Sequence, residues 1–447
     1  MILQDWWFTT LLAQQYAVAP PLKDNIKADV LIIGGGMSGV SAAASFIGSG
    51  LKVVLLERNI LGGSSTGRSA GFLTPDSELE LSQLIRRYGP KGAKEIWEVP
   101  CRGIEMIRKR AADFNINCDL QTQDSLFLGL GKSGAEDTQA EAETRAKLDL
   151  KSTVYKDAND LRSVFGGQGY TAGTRYSETY GINALQFVQG MKRALIDAGI
   201  AVHESTEVKS LDGHKAITHA GSVTADQIII AMDKMSNDFD PIAKEVFHAQ
   251  TFLSISEPLS DAEVKEMFPS GDRFQCWDSN VMYTYFRLTG DQRLLLGGGS
   301  FATTYLPTYF DNPRVIKGVV KGFKQHFPFL ADLNIMQFWP GMIDSTRDLL
   351  PIVVRDPQEP YRHFVQGCVG LPWASFTGDF VGRAIQGKAD ADEKRYYEYF
   401  SDRRHFLFPT WIERVIGKPI TFALNNAYAK YRQVDVGKTP KFQASDF

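Results

Sequence analysis

The stretch ADVLIIGGGMSGVSAAASFIGSGLKVVLLER, residues 28–58, constrains the fold more than any other part of this 447-residue chain. Ala28 to Ile33 is a short, β-branched apolar run, the pattern of a strand buried on both faces. Gly34, Gly36 and Gly39 follow at GxGxxG spacing, then an Ala/Ser-rich stretch of helical character and a second apolar run, Lys52 to Leu56, closed by Glu57. Strand, glycine turn, helix, strand and acid, in that order, predict a dinucleotide-binding βαβ unit rather than a merely glycine-rich turn. Gly34 permits the tight turn, Gly36 lets the backbone approach a pyrophosphate, and Gly39 lets the helix pack on the strand. Met37 and Ser38 open a helix whose N-terminus offers N–H groups and partial positive charge to a diphosphate. Glu57 stands 18 residues past Gly39, placed for ribose hydroxyls, with Arg58 beside it.

A second glycine-rich loop follows at Leu61 to Gly71, with Gly62, Gly63, Ser64, Ser65, Gly67, Arg68, Ser69 and Ala70. Small side chains, hydroxyl donors and one cation suit a loop that bends over a diphosphate and a flat cofactor. A flexible surface linker is the bland alternative.

The rest of the chain alternates helical and strand patterns. Helices are expected over 95–115, 136–148, 184–198 and 377–386, and buried strands over 200–203, 226–231 and 364–365. Residues 252–257, 281–288 and 293–296 read instead as strands of a separate sheet. Composition excludes more than it identifies. A formal charge of −3 excludes the strongly basic footprint of a nucleic-acid binder. Cys101, Cys118, Cys276 and Cys368 show no metal-ligand spacing with the histidines, so no metal site is expected. No apolar run reaches ~18 residues and the start lacks a basic signal-peptide region, so a cytoplasmic protein is expected. The aromatic, amphipathic end, through Phe406, Trp411, Val415, Phe422, Tyr428 and Tyr431, reads as a helix covering the core, with membrane-surface contact the lesser reading.

With these residues in order, the chain resembles the FAD-dependent D-amino-acid-oxidase-like (DAO) amine oxidoreductases, in pattern nearest the gamma-glutamylputrescine oxidoreductase branch. The resemblance runs from about Ile26 to Arg432. It is carried by IIGGGMSGVSAA with LLER, LGGSSTGRSAGFL, NCDLQTQDSLFLGL, DQIIIAM, SEPL, YFRLTGDQRLLLGGG, FWPGMIDSTRDLLPIV, HFLFP and AYAKYRQ. It implies an α/β (α+β) fold: a Rossmann-like ββα three-layer FAD-binding domain with an inserted antiparallel β-sheet substrate domain, as in glycine oxidase. The expected division is a leader 1–28, a discontinuous FAD-binding part 29–98, 150–235 and 340–395, a substrate part 99–149 and 236–339, and a helical tail 396–447. It also implies Arg68 next to the flavin and Val208 on the adenine side. Ala231 would lie near the diphosphate, and Gly341, Asp348, Pro351 and the turn Gly367–Trp373, with Gly370, Leu371 and Pro372, near the flavin.

The departures from the family pattern carry information. Where covalently flavinylated members have Cys or His, this chain has Gly341 and Gly67-Arg68, which predicts non-covalent FAD. Pro372 removes an N–H at the C-terminal flavin turn. Amino-acid-oxidising relatives place an Arg after the Trp-x-Gly element to clamp a carboxylate, and here Met342 and Ile343 follow Trp339-Pro340-Gly341. The expected substrate is therefore a small-molecule amine, polyamine-derived and gamma-glutamylputrescine-like, with oxygen or another acceptor taking the electrons. Strand alternation puts Tyr283, Tyr285 and Arg287 on one face. Tyr283 and Tyr285 are substrate-site candidates, with Trp373 and Phe72 closing the pocket, and aromatic packing within a sheet is their bland alternative. Two other functions fit the same residues: an amino-acid dehydrogenase passing electrons to a quinone, and a flavin-binding subunit or sensor without turnover.

Overall fold

The computed structural model describes residues 1–14, 16–76, 81–232, 242, 246–280, 282–300, 303–304, 310–346, 348–404, 415, 420 and 424. The predicted βαβ unit is present as strand Asn25–Ile33, helix Met37–Ser45 and strand Val53–Leu56. These two strands are the centre of a sheet in which Ala201–His203, Val53–Leu56, Asn25–Ile33 and Ser222–Ile230 run parallel. Arg362–Gln366 adds parallel to the last part of Ser222–Ile230, and Ile352–Arg355 pairs antiparallel to it. The first part of Ser222–Ile230 instead continues into the hairpin of Lys215–Ile217 and Ser210–Asp212.

Strand alternation gives this sheet two buried faces. Val30, Ile32, Val53, Leu55 and Ile229 point to the side covered by helices Met37–Ser45, Leu81–Asp113, Ala184–Asp197 and Leu371–Ile385. Leu31, Ile33, Val54, Leu56, Ile228 and Ile230 point to the other side, with Val208, Ala216 and Ile352. Ile33 is in register with both Leu56 and Ile230, so three parallel strands end level at Gly34, Glu57 and Ala231. A crevice at the carboxyl ends of parallel strands is where such sheets bind nucleotides.

The second sheet has nine strands among the described residues, in the order Ile2–Leu3, Ile335–Thr346, Val246–Pro258, Arg293–Gly298, Tyr285–Leu288, Phe274–Asp278, Asp124–Leu130, Tyr170–Tyr176 and Thr153–Tyr155. It is mixed rather than wholly antiparallel, because Ile2–Leu3 and Phe274–Asp278 each run parallel to a neighbour. Thr153–Tyr155 and Tyr170–Tyr176 join this sheet, not the nucleotide sheet that the expected boundary at 150 gave them. Helix Leu81–Asp113 runs through the expected boundary at 98/99, bent at Gly89 (φ 72°) ahead of Pro90. One face of the nine-stranded sheet buries a phenylalanine core, including Phe165, Phe274, Phe286, Phe323 and Phe327. A short third sheet, Phe72–Leu73, Tyr180–Gly181 and Gln121–Thr122, continues directly from the glycine-rich loop.

The residues expected to be a leader are part of the body. Ile2 and Leu3 pair with Gln337 and Phe338, and helix Trp6–Leu12 buries Trp7 and Leu11 against Trp339, Leu253 and Leu295. At the other end, Arg404 is buried in the core. Phe406, Trp411, Phe422, Tyr428 and Tyr431 lie outside the described residues, while Val415, Ile420 and Leu424 are helical and exposed. No helix among the described residues is long and apolar enough to cross a membrane.

Candidate active site

The two sheets meet at a cavity of about 540 Å³, and the level ends of the parallel strands form one end of it. Gly34 makes the turn with φ 106°, and a Cβ there would lie 2.2 Å from the Ala231 carbonyl oxygen. Gly36 lines the cavity, and a Cβ there would have Thr66 Oγ1 at 3.4 Å as its nearest neighbour. Met37, Ser38, Glu57, Arg58, Val208 and Ala231 line the same end. Glu57 is tied into the turn: Oε2 accepts from the Gly35 N–H and Oε1 from the Asn59 N–H, each at 2.8 Å. Burial pushes its carboxyl pKa up.

The glycine-rich loop crosses the middle of the cavity, where Gly63, Ser64, Ser65, Arg68, Ser69, Ala70 and Gly71 line the wall. Four successive carbonyls in it are each held by a different donor. Trp339 Nε1 donates to Arg68 O at 3.1 Å and Trp7 Nε1 to Ser69 O at 2.8 Å. Arg287 Nε donates to Ala70 O at 2.8 Å, and the Ile182 N–H to Gly71 O at 2.9 Å. Arg287 is fully buried and also donates to Ile182 O and Leu288 O, and burial lowers its pKa to about 10. It therefore gathers carbonyls rather than forming the ion pair usual for an arginine in a strand.

The far end of the cavity lies on the nine-stranded sheet. Tyr283, Tyr285 and Phe72 line it together: the Phe72 and Tyr285 rings meet edge-on at 6.0 Å, and those of Tyr283 and Tyr285 lie 5.7 Å apart. Tyr283 precedes the strand, which starts at Tyr285. The Tyr285 hydroxyl is 2.6 Å from Thr251 Oγ1. Gly341 passes beside Arg68, and Met342, Ile343, Gly370, Leu371 and Pro372 also line the wall.

Four expected site residues stand elsewhere. Gly39 does not line the cavity; a Cβ on it would be 1.8 Å from Gly34 O, so its task is the helix-to-strand contact. Trp373 is buried in the core, edge-on to Phe400 at 6.0 Å, because the helix starts at Leu371 rather than 377 and makes residue 373 a packing position. Pro372 falls in the first turn of that helix, where its missing N–H has no helical partner to lose. Asp348 is buried between Arg87 and Arg404, whose guanidinium reaches it at 2.7 and 2.8 Å, and these cations hold its carboxyl far below the usual range despite burial. Pro351 offers its carbonyl to the same Arg404, at 2.9 Å.

Other residues at the site or behind its wall went unread in the sequence. Thr66 Oγ1 accepts the Met37 N–H at 3.0 Å and so ties the loop to the helix N-terminus. Glu204, fully buried, accepts from the Ala19 and Leu61 N–H groups, both at 2.7 Å, and from Lys192 at 3.1 Å. Phe127 and Trp277, stacked at 6.1 Å, extend the aromatic wall. Phe127 lies in NCDLQTQDSLFLGL, where period-2 alternation from the buried Leu126 and Leu128 was the available signal.

Comparison with known proteins agrees with this arrangement. The chain is 26% identical to gamma-glutamylputrescine oxidoreductase of Escherichia coli over 427 residues, 94% of this chain and 96% of that one. It is 26% identical to the probable oxidoreductase OrdL of Haemophilus influenzae, covering 82% and 85% of the two chains. Among solved structures, glycine oxidase from Geobacillus kaustophilus superposes with a TM-score of 0.70 at 17% identity, over 82% of this chain and 96% of that one. L-proline dehydrogenase from P. horikoshii gives 0.68, also at 17% identity, over 83% and 97%. The family model "FAD dependent oxidoreductase" (DAO) matches residues 29–384, from the first strand of the glycine turn to the helix after Gly370, and the chain belongs to that family of FAD-dependent oxidoreductases.

Proposed function

We propose that the protein oxidises a C–N bond of an amine, polyamine-derived and gamma-glutamylputrescine-like, to an imine that water hydrolyses to an aldehyde. The observation that carries this reading is the lining of the cavity's far end. Met342 and Ile343 line the cavity where a carboxylate clamp would sit, and Tyr283, Tyr285 and Phe72 line it as well. The cationic side chains of the described lining are Arg58 and Arg68, both on the nucleotide-binding segments. The name of the Escherichia coli relative, at 26% identity over 94% of this chain, points the same way.

The residues present suit FAD. A turn in which Gly36 leaves open space beside the helix N-terminus takes the diphosphate, and Glu57 is set for ribose hydroxyls. Val208 takes the adenine side, and Arg68 to Gly71 with Gly370 to Pro372 hold the ring system. Bound there, FAD supplies the two-electron acceptor. The chain's own task is to hold the amine neutral, since only a free lone pair permits oxidation. The aromatic side chains Phe72, Tyr283 and Tyr285 favour that state by desolvating the ammonium, while Asp76, Asp137, Glu141, Asp278 and Asp344, which also line the cavity, attract the cationic amine into it. Tyr283 and Tyr285 orient the amine, and Trp277 and Phe127 cover its far end. Attachment of FAD is non-covalent, so acid precipitation should release all of it; flavin that remains on the polypeptide refutes this.

Anaerobic mixing of the holoenzyme with gamma-glutamylputrescine, putrescine, sarcosine and D-amino acids tests the substrate class. Bleaching of the visible flavin band by the polyamine-type substrates ahead of the amino acids supports the proposal, and preference for amino acids overturns it. Peroxide on readmission of air identifies oxygen as acceptor.

A further inference from the structure

The loop Arg68–Gly71 is a single layer of chain between the cavity and a row of donors, none of which touches the cavity. Arg68, Ser69, Ala70 and Gly71 line it, whereas Trp7, Arg287, Trp339 and Ile182 do not. In a trans peptide the carbonyl and the following N–H point in opposite directions, and no cis peptide is present. Ser69 O points back to Trp7, so the Ala70 N–H faces the cavity. Ala70 O points back to Arg287, so the Gly71 N–H does too. Neither N–H has an acceptor among the described residues. Unpaired backbone donors are uncommon away from water, and two in succession on a cavity wall mark a place for an acceptor-bearing ligand.

We propose that the N-terminal segment, through Trp7, is a positioning element for the cofactor: its indole N–H holds the Ser69 carbonyl back and presents the Ala70 N–H to the FAD ring system. The family match begins at residue 29, outside this segment. Three contacts hold Trp7 in place. Ile2 and Leu3 pair with Gln337 and Phe338, and Asp5 caps helix Trp6–Leu12 by accepting the Trp7 N–H at 2.9 Å. Thr10 Oγ1 donates to Trp7 O at 2.8 Å and accepts from Asn183 Nδ2 at 3.0 Å. The Trp7 ring packs edge-on to Trp339 at 6.4 Å, so the two indoles that hold Arg68 O and Ser69 O brace each other. The inference rests on FAD occupying this cavity.

Trp7→Phe keeps an aromatic ring at this buried position, removes the N–H and leaves some space where the larger indole stood. In the holoenzyme at saturating FAD, the expected result is a shifted visible flavin spectrum and a lower midpoint potential, because one donor to the electron-rich reduced ring is misplaced. FAD binding, followed by flavin fluorescence, should weaken about tenfold, or ~1.4 kcal/mol; the apoprotein's thermal midpoint should also fall, because the smaller ring leaves space in a buried site, so spectrum and potential are read on folded holoenzyme. Thr10→Val, which frees the helix from Asn183 without touching the core, should shift spectrum and potential in the same direction by less, and serves if Trp7→Phe does not fold. Unchanged spectrum, potential and affinity in both variants overturns the role of the segment. Gly36→Ala separates the two levels: if it loses FAD while Trp7→Phe does not change, the cavity stands and Trp7 fails; if FAD binding survives both, the cavity assignment itself fails.

Discussion

Gly36→Ala and Gly34→Ala put the nucleotide end of the cavity to a quantitative test, because the two glycines sit two residues apart for different reasons. At Gly34 an added methyl meets Ala231 O at 2.2 Å and its carbon at 2.8 Å, with φ at 106°. The backbone conformation alone costs about 1–2 kcal/mol. Relief requires the ends of two paired strands to part, losing the 2.9 Å bond from the Ala231 N–H to Ile33 O, about another 1 kcal/mol. The apoprotein should lose about 2–3 kcal/mol. At Gly36 the backbone is extended, with φ −76° and ψ −171°, and the added methyl has only Thr66 Oγ1 near it, at 3.4 Å. The apoprotein should lose no more than about 1 kcal/mol, the preference for Gly over Ala at a helix N-cap. Its methyl nevertheless occupies the space where backbone N–H groups reach the diphosphate. Two charge-assisted bonds at ~1.5 kcal/mol each put the loss of FAD affinity near 100-fold. Urea unfolding of the apoproteins and titration by flavin fluorescence measure both quantities. The reasoning fails if Gly36→Ala binds FAD within twofold of the native chain, or if Gly34→Ala apoprotein is as stable as native.

The remaining expectations concern the far end, the buried ion pairs and pH. Tyr283→Phe and Tyr285→Phe should lower amine turnover about tenfold, since each removes a hydroxyl worth ~1 kcal/mol or more at the substrate end; turnover equal to native in both removes them from the site. Asp348→Asn should cost about 3–5 kcal/mol by leaving Arg87 and Arg404 buried without their carboxylate. At saturating FAD its visible spectrum should match native, as expected of a residue away from the cavity wall; a shifted spectrum contradicts that placement. His363 is buried with Nε2 2.9 Å from Gln227 Oε1, and burial lowers its pKa to about 3. A folded-state value below the unfolded ~6.5 means that its stabilising effect is complete above pH 6.5 and is lost as pH falls toward 3. Between pH 7 and 5 the loss is about 2 kcal/mol. Urea unfolding at pH 7 and pH 5 should show that extra loss in the native chain but not in His363→Gln; equal losses in the two would sink the argument.

Local chemistry in the sequence was enough to locate the nucleotide end of the molecule. Gly39 meets Gly34 O, a few residues back, whereas the atoms nearest a Cβ at Gly34 and Gly36 come from distant segments, Ala231 and Thr66; all three are legible because their spacing between two apolar runs marks the βαβ turn itself. The small-residue loop at 61–71 is legible for the same reason. The sequence by itself therefore determined the βαβ unit, the loop that follows it and the order of the main elements. The tertiary structure decided what stands behind that loop: its carbonyls are held by residues 7, 182, 287 and 339. Residues 7, 287 and 339 meet because the nine-stranded sheet brings Ile2–Leu3, Tyr285–Leu288 and Ile335–Thr346 into one surface, and Ile182 arrives next to Tyr180–Gly181 of the short third sheet; no local period encodes which distant strands pair. The family resemblance implies Asp348 beside the cofactor, yet Arg87 and Arg404, far away along the chain, claim it for the core. Trp373 changes side because its helix begins six residues earlier than the apolar pattern indicated, and the residues treated as a leader became part of the cavity's support. Local spacing marks where a turn falls; long-range packing decides which backbone and side chains meet it.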